Sequence, residues 1–338
     1  MVRVTLTTLD YLEIAVKAAV VYEAGQSPAY SDFEAPPAKT GEELITVKAA
    51  ALTHFTKSRA SGAHYSANAS LPAVAGSDGV GVTQDGRRVY FILPGAPFGA
   101  MAEFTRVRAA YCISVPDALD DITAAALANP GMSAWAALVY RAQIKSGDTV
   151  LINGATGMAG RLAVQLARHL GAGKVIATAR DAAALASVKA LGADIVIPFD
   201  VDGADPGGAA RFADDLEKQC KDGVDVVVDY LWGKSAQTII AAIAKAVDDA
   251  RPVRFVQVGS SSGGDVTLPG AALRSSAIVL MGSGIKSVPL PDLLAAVGHV
   301  FAAAVPATLQ IATRVLPLSD VQMAWDEDGG KARVVFTP

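Results

Sequence analysis

The sequence predicts an α/β protein: a doubly wound parallel sheet joined to a β-rich domain. Three observations predict it. From residue 149 onward, short apolar runs alternate with amphipathic ones, the βαβ rhythm of a parallel sheet. A glycine-rich loop stands between the first apolar run and its helix. Before residue 145 the chain instead shows short β-like runs separated by turns. A length of 338 residues suits two domains, and 51% hydrophobic against 18% charged residues supplies a large core and excludes a disordered chain.

Residues 1–15 have no obvious partner in this pattern. They read as an appended arm, as a mis-assigned start with translation beginning at Val16, or as an ordinary ordered extension. Asp10 and Glu13 interrupt any apolar core of a signal peptide. Residues 16–21 form a first strand, followed by a turn at Gly25. Further strands are expected at 44–47, 79–82 and 88–92, the last after the Asp85-Gly86 turn. Asp120-Asp121 opens a helical run over 122–128 that ends near Asn129-Pro130-Gly131.

In the second half, 149–153 is a strand and 158–170 a helix with Leu162, Leu166 and Leu170 on one face and Gly171 as its stop. Strands follow at 174–179, 195–197, 224–229, 254–258 and 277–281, with helices at 182–191, near 207–221 and at 234–247 between them. After Pro289-Leu290-Pro291 come a helix, a strand and a final strand at 332–336.

Composition narrows the partners. Lys and Arg number 29 against 33 Asp and Glu, a net charge of −4 without a basic cluster, which argues against nucleic acid and anionic membrane. Cys112 and Cys220 make neither a disulfide framework nor a four-Cys zinc site and suit a reducing cytoplasm. A mean hydropathy of +0.35 raises the question of a membrane span. The uncharged runs 122–140 and 293–313 are rich in Ala. The first is broken by Asn129-Pro130-Gly131, and the second carries Gly298, His299, Pro306 and Gln310, so both read as buried elements.

The loop Asn153-Gly154-Ala155-Thr156-Gly157-Met158-Ala159-Gly160 is a dinucleotide fingerprint with Ala in first place. Gly157 lets the backbone approach a pyrophosphate, Gly160 lets the helix pack close, and the helix N-terminus offers free N–H groups. Strand, loop, helix and second strand occur in order, which makes this half a Rossmann-type domain. The end of the second strand selects the cofactor. It reads Ala179-Arg180-Asp181, where an NAD site needs an acid for the ribose. Arg180 suits a 2′-phosphate and favours NADPH. Asp181 is either a displaced ribose ligand or the cap of the next helix.

The front half carries a family resemblance. Residues 41–54, then Arg59, Gly62 and Tyr65, then 71–82, look like the catalytic domain of medium-chain dehydrogenases/reductases, a GroES-like β-rich fold. Residues 129–138 resemble the hand-over to that family's cofactor domain, and 223–229 and the closing Gly330-Lys331 strand also fit. The nearest branch is the zinc-free NADPH:quinone oxidoreductase, or zeta-crystallin-like, group. The resemblance implies an N-terminal extension at 1–15, a catalytic domain at 16–128 and 287–338, and an NADP-binding domain at 129–286, with the active site between them. Zinc members supply a Cys and a His-Glu pair, where this chain has Thr53, Ser77 and Asp78. Two hydroxyls and one carboxylate are poor zinc ligands, and His54, His64, His169 and His299 form no i, i+4 pair, so no metal is expected.

The resemblance further implies the site. Tyr65 is the first candidate to stabilise the developing oxyanion, with Thr53 and His54 on the cleft wall. His64 stands beside Tyr65, and Thr53 replaces the branch's usual Asn. Ser133 matches a hydroxyl residue near the cofactor. Leu231, Val258-Gly259-Ser260, Met281 and Ser283 follow parallel strands, where such sheets bind ligands. Phe199 stands where NADPH-using relatives often carry an aromatic hydroxyl. The expected activity is hydride transfer from NADPH to a quinone or α,β-unsaturated carbonyl, in a cytoplasmic homodimer paired along strand 277–281. Alternatives are an enoyl-thioester reductase, a zinc-free alcohol/carbonyl oxidoreductase, or an NADPH-binding protein of structural or regulatory duty.

Overall fold

A computed structural model describes residues 15–63, 70–201, 203, 205, 207–327 and 332–338. Two units result: residues 1–129 with 311–338, and residues 130–310.

The first unit opens with β1 (Ala15–Val21) and β2 (Ala29–Glu34), an antiparallel pair. Next come β3 (Glu42–Ala51), α1 (His54–Ala60), β4 (Ala73–Val74), β5 (Asp78–Thr83), β6 (Arg88–Ile92), β7 (Phe104–Arg108) and β8 (Cys112–Ser114). α2 (Asp121–Trp135) carries the chain into the second unit. The sequence placed its end near Asn129-Pro130-Gly131, yet the helix runs through Pro130 and continues as a π-helix over Ala136–Arg141. Packing overrides the proline: at Gly131 a Cβ would lie 2.6 Å from Val300 Cγ1, so the helices make a close approach there. The stretch Asp121–Arg141 is long and apolar enough to cross a membrane, and 61% of its most apolar window is buried inside the fold.

The second unit alternates strand and helix: β9 (Thr149–Asn153), α3 (Met158–His169), β10 (Lys174–Ala179), α4 (Ala182–Lys189), β11 (Ile195–Pro198), α5 (Gly208–Lys221), β12 (Val226–Asp229), α6 (Gly233–Ala246), β13 (Pro252–Gln257), α7 (Gly270–Arg274), β14 (Ala277–Gly282) and α8 (Leu290–Ala304). Among the described residues the six strands are parallel in the order β11-β10-β9-β12-β13-β14. The order reverses between β9 and β12, the switch point at which doubly wound sheets bind ligands. Both faces are covered. Val150 and Ile152 of β9 pack with Leu166, Val175 and Val300, and Leu151 packs on the other side with Ile176, Phe212, Ile239 and Phe255.

β15 (Thr313–Pro317), α9 (Val321–Trp325) and β16 (Arg333–Thr337) return to the first unit and close its larger sheet, β15-β16-β3-β5-β6-β8, with β7 also on β3. Ile45, Phe91, Met101, Trp325 and Phe336 fill this unit's core. The return falls at residue 311, where the sequence reading put it at 287. α8 stays with the second unit because Val300 and Ala303 are part of the core around β9.

Candidate active site

The fingerprint loop sits at the C-terminal end of β9. Gly154 and Ala155 donate their backbone N–H to Thr178 O at 2.9 and 3.0 Å, which fixes the loop to β10. Ala155 and Gly160 are buried, and Thr156 through Ala159 reach solvent. At Gly160 a Cβ would overlap Gly154 O and lie 2.8 Å from Ala155 Cα, so the helix can enter only with glycine there. Gly157 caps α3 without any side-chain hydrogen bond, which leaves the first-turn N–H groups available to an anion. A Cβ at Gly157 would meet nothing closer than 3.5 Å, so its side of the loop is open. These residues fit the pyrophosphate of a dinucleotide.

At the end of β10, Ala179 is buried and Arg180 exposed. Asp181 is the N-cap of α4, its Oδ1 accepting from Ala184 N at 2.9 Å. That bond decides between the two sequence readings: Asp181 is a helix cap. Arg180 has no hydrogen bond or ion pair among the described residues.

Asn153 differs from its expected role as a cofactor contact. It is fully buried, and its amide ties three elements. Nδ2 donates to Asp229 Oδ1 at 2.8 Å and Ser235 Oγ at 3.0 Å, and Oδ1 accepts from Thr178 Oγ1 at 2.7 Å. Asp229 also accepts the backbone N–H groups of Leu231 and Trp232. Burial raises the Asp229 pKa, against the pull of those N–H groups and Asn153. The network braces the switch point from beneath. Above it stand Leu231, whose side chain covers Gly154, and Val258 and Gly259, both bonded to Asp229 O. Ser260 is exposed, and Met281 and Ser283 are half-buried at the end of β14. Ser133 is half-buried on α2. Trp232 holds φ 58° and ψ −153°, a conformation that favours glycine, which nothing in its residue type announces. Phe199 is 4% exposed and packs on Phe212 at 4.9 Å, so it is a core residue.

In the first unit, Thr53 is buried and is the N-cap of α1. Its Oγ1 accepts from Thr56 N and donates to Thr56 Oγ1, each at 3.0 Å. The hydroxyl expected on the cleft wall is therefore committed to the helix. His54 is accessible to solvent, yet desolvation and the nearby Arg333 and Lys57 cations lower its pKa, which keeps the ring neutral at pH 7. Tyr65 and His64 lie outside the described residues, as do Gly330 and Lys331. Asp78 is 2% exposed and accepts from Tyr90 OH at 3.0 Å. Burial pushes its pKa up to about 6, opposed by the Tyr90 hydroxyl and by Arg333. Among the described residues no three His, Cys, Asp or Glu side chains converge on a metal position. A cavity of about 190 Å³ lies beside α1, lined by Thr56, Arg59, Leu71, Ser77, Pro97 and Phe98 among others. The sequence reading assigned no role to Arg59. Its signal was present: no acidic residue occurs between it and Asp78.

A doubly wound dinucleotide domain with an open phosphate loop, in one chain with a β-rich unit, defines a nicotinamide-dependent oxidoreductase. Comparison with known proteins agrees. Residues 159–296 match the zinc-binding dehydrogenase family model, a stretch that excludes Thr53, Ser77 and Asp78. A probable NADPH-dependent quinone reductase (tdiC) of Emericella nidulans is 32% identical, over 92% of this chain and 96% of that protein. An NADPH-dependent alkenal/one oxidoreductase of Arabidopsis thaliana is 33% identical over 50% of this chain and 48% of its own. The solved structure of a mycobacterial quinone oxidoreductase superposes with a TM-score of 0.80 at 23% identity, over 96% of this chain and 100% of that one. The chain belongs to the medium-chain dehydrogenase/reductase superfamily, in its NADPH:quinone oxidoreductase branch.

Proposed function

We propose that this oxidoreductase reduces a quinone or an α,β-unsaturated carbonyl with NADPH and without a metal. The observation that carries the choice of cofactor is at the end of β10: Asp181 is committed to capping α4, and Arg180 beside it is an uncommitted cation. The pair leaves no carboxylate for a ribose diol and one guanidinium for a 2′-phosphate. The N-terminus of α3 and Gly157 would hold the pyrophosphate.

When bound, NADPH supplies a hydride, two electrons with one proton. A quinone takes that hydride and one further proton to become a hydroquinone; an enone takes the hydride at its β-carbon and a proton at its α-carbon. The chain's task is to steady the oxygen on which charge develops. Tyr65 and neutral His54 are the proposed donors; Thr53 positions His54 by starting α1. Donor chemistry supports zinc independence: a capping hydroxyl at Thr53, a second hydroxyl at Ser77 and a Tyr90-bonded carboxylate at Asp78 are poor zinc ligands. Cys112 and Cys220 are free thiols, which supports a reducing cytoplasmic setting. β14 pairs only with β13 among the described strands, and its open edge supports a homodimer.

Arg180→Ala tests the cofactor choice. Loss of one charge-assisted bond, about 1.5–3 kcal/mol, weakens NADPH binding roughly 10- to 150-fold. NADH binding stays as it was. Equal losses for both cofactors, measured by fluorescence titration, contradict the assignment.

A further inference from the structure

Of the seven described arginines of the first unit, four have a carboxylate, Arg108 lies over the Tyr111 ring, and Arg333 bonds Leu52 O and feels the charge of Asp78. Arg87 pairs with Glu43 and Asp85, Arg88 with Asp121, Arg106 with Glu42, and Arg314 with Glu327. Arg59 has none among the described residues; its recorded contact is the Phe55 ring, 5.7 Å from the guanidinium carbon. The chain offers no acid nearby in sequence, since residues 60–77 contain no Asp or Glu. Asp78, the first acid beyond them, already accepts from Tyr90. Yet Arg59 is half-buried and lines a cavity whose other walls are largely apolar: Leu71, Pro97, Phe98 and several alanines. Desolvation lowers its pKa, so the cation is being held out of water without a counter-charge. Such a group is stabilised by an anion brought from outside.

We propose that this cavity receives a carboxylate carried by the acceptor, with Arg59 as the group that recognises it. The proposal rests on the reduction reading and narrows its substrate class to acidic enones or quinones. A guanidinium matches a carboxylate with two parallel hydrogen bonds, and an apolar wall sharpens that preference. Size decides between anions. The cavity holds about 190 Å³, below the roughly 300–1,000 Å³ of pockets for larger ligands. It suits a compact acid. In the reaction, a 4-oxo-2-enoate would take the hydride at C2, β to its ketone, and a proton at C3. NADPH leaves as NADP⁺, and the carboxylate on Arg59 is unchanged.

The test compares (E)-4-oxopent-2-enoate with (E)-pent-3-en-2-one, which differ by a carboxylate in place of a methyl group. The wild type favours the acid in kcat/KM. That preference falls about tenfold or more in Arg59→Gln and far less in Arg59→Lys, which keeps the charge. An unchanged preference overturns the proposal and leaves the reduction reading intact. Binding supplies a readout independent of turnover. The saturated product 4-oxopentanoate should bind wild type about tenfold or more tighter than pentan-2-one, by calorimetry, and lose that advantage in Arg59→Gln. Equal binding of the two by wild type overturns the proposal even where the variant fails to fold. Arg59-dependent binding of 4-oxopentanoate without reduction of any acceptor supports the cavity assignment and contradicts the reduction reading. Arg59 dependence confined to a coenzyme A thioester, absent with carboxylates, also overturns it.

Discussion

Gly157 and Gly160, three residues apart in one loop, differ in what a methyl group would meet. At Gly160 it would strike the backbone of Gly154 and Ala155; at Gly157 it would make only an ordinary contact with Gly154 O at 3.5 Å. Gly160→Ala should therefore destabilise the second unit by about 1–3 kcal/mol, read as a lower melting temperature. Gly157→Ala should melt like the wild type and bind NADPH about tenfold more weakly or worse, because the methyl group occupies the phosphate's approach. Equal melting of the two variants contradicts this division. Asp78 gives a pH prediction. Its folded pKa of about 6 lies above the unfolded value of 3.8. The stability that its neutral form gives is complete below pH 4 and is lost as pH rises through 6. Asp78→Asn has no such loss, so between pH 4 and pH 7 its stability gains on the wild type by about 2 kcal/mol. A constant difference in urea melts across that range contradicts the assignment. At this scale the sequence identified positions better than duties. Asn153 was singled out from the loop motif and Thr53 from the family resemblance; their side chains are committed to the switch-point network and to a helix cap. The hydrogen-bond partners of Asn153, 25 to 82 residues away, leave no local signal, whereas the partner of Thr53 is three residues on.

Element starts and stops were legible wherever a residue acts through its own backbone. Gly171, at φ 89°, follows the end of α3 as its position foretold, and Asp181 starts α4. α2 was misread for the complementary reason. Pro130 argues locally for a stop, but Gly131 seats the helix against Val300, a contact 169 residues distant that no local pattern reveals. β14 was read correctly as a strand. Its exposed edge carries Val279 at 49% exposure, and the dimer proposal is tested there. Wild type should elute at twice 34.6 kDa, and Val279→Glu, which sets like charges near the two-fold, should elute as a monomer with unchanged circular dichroism. A wild-type monomer contradicts the proposal.

For the molecule as a whole, the βαβ rhythm and the fingerprint were enough to specify the second unit as a parallel, doubly wound sheet, because right-handed crossovers leave few alternatives. The first unit has short strands and a sheet closed by β16 from the far end of the chain, so its reading depended on family resemblance. The boundary at 311 was missed since α8 is apolar and would suit either core. The central claim concerns chemistry: NADPH-driven, metal-free reduction of a quinone or enone. It is tested most directly by initial rates of NADPH oxidation by chelator-treated protein. The acceptors are a 1,4-quinone, a short alkenal, an acidic enone and an enoyl-thioester, each against a control without acceptor. The account expects turnover with a quinone or an enone that added zinc does not raise. Activity that appears only after zinc is restored, or no turnover by protein that still binds NADPH, would contradict it.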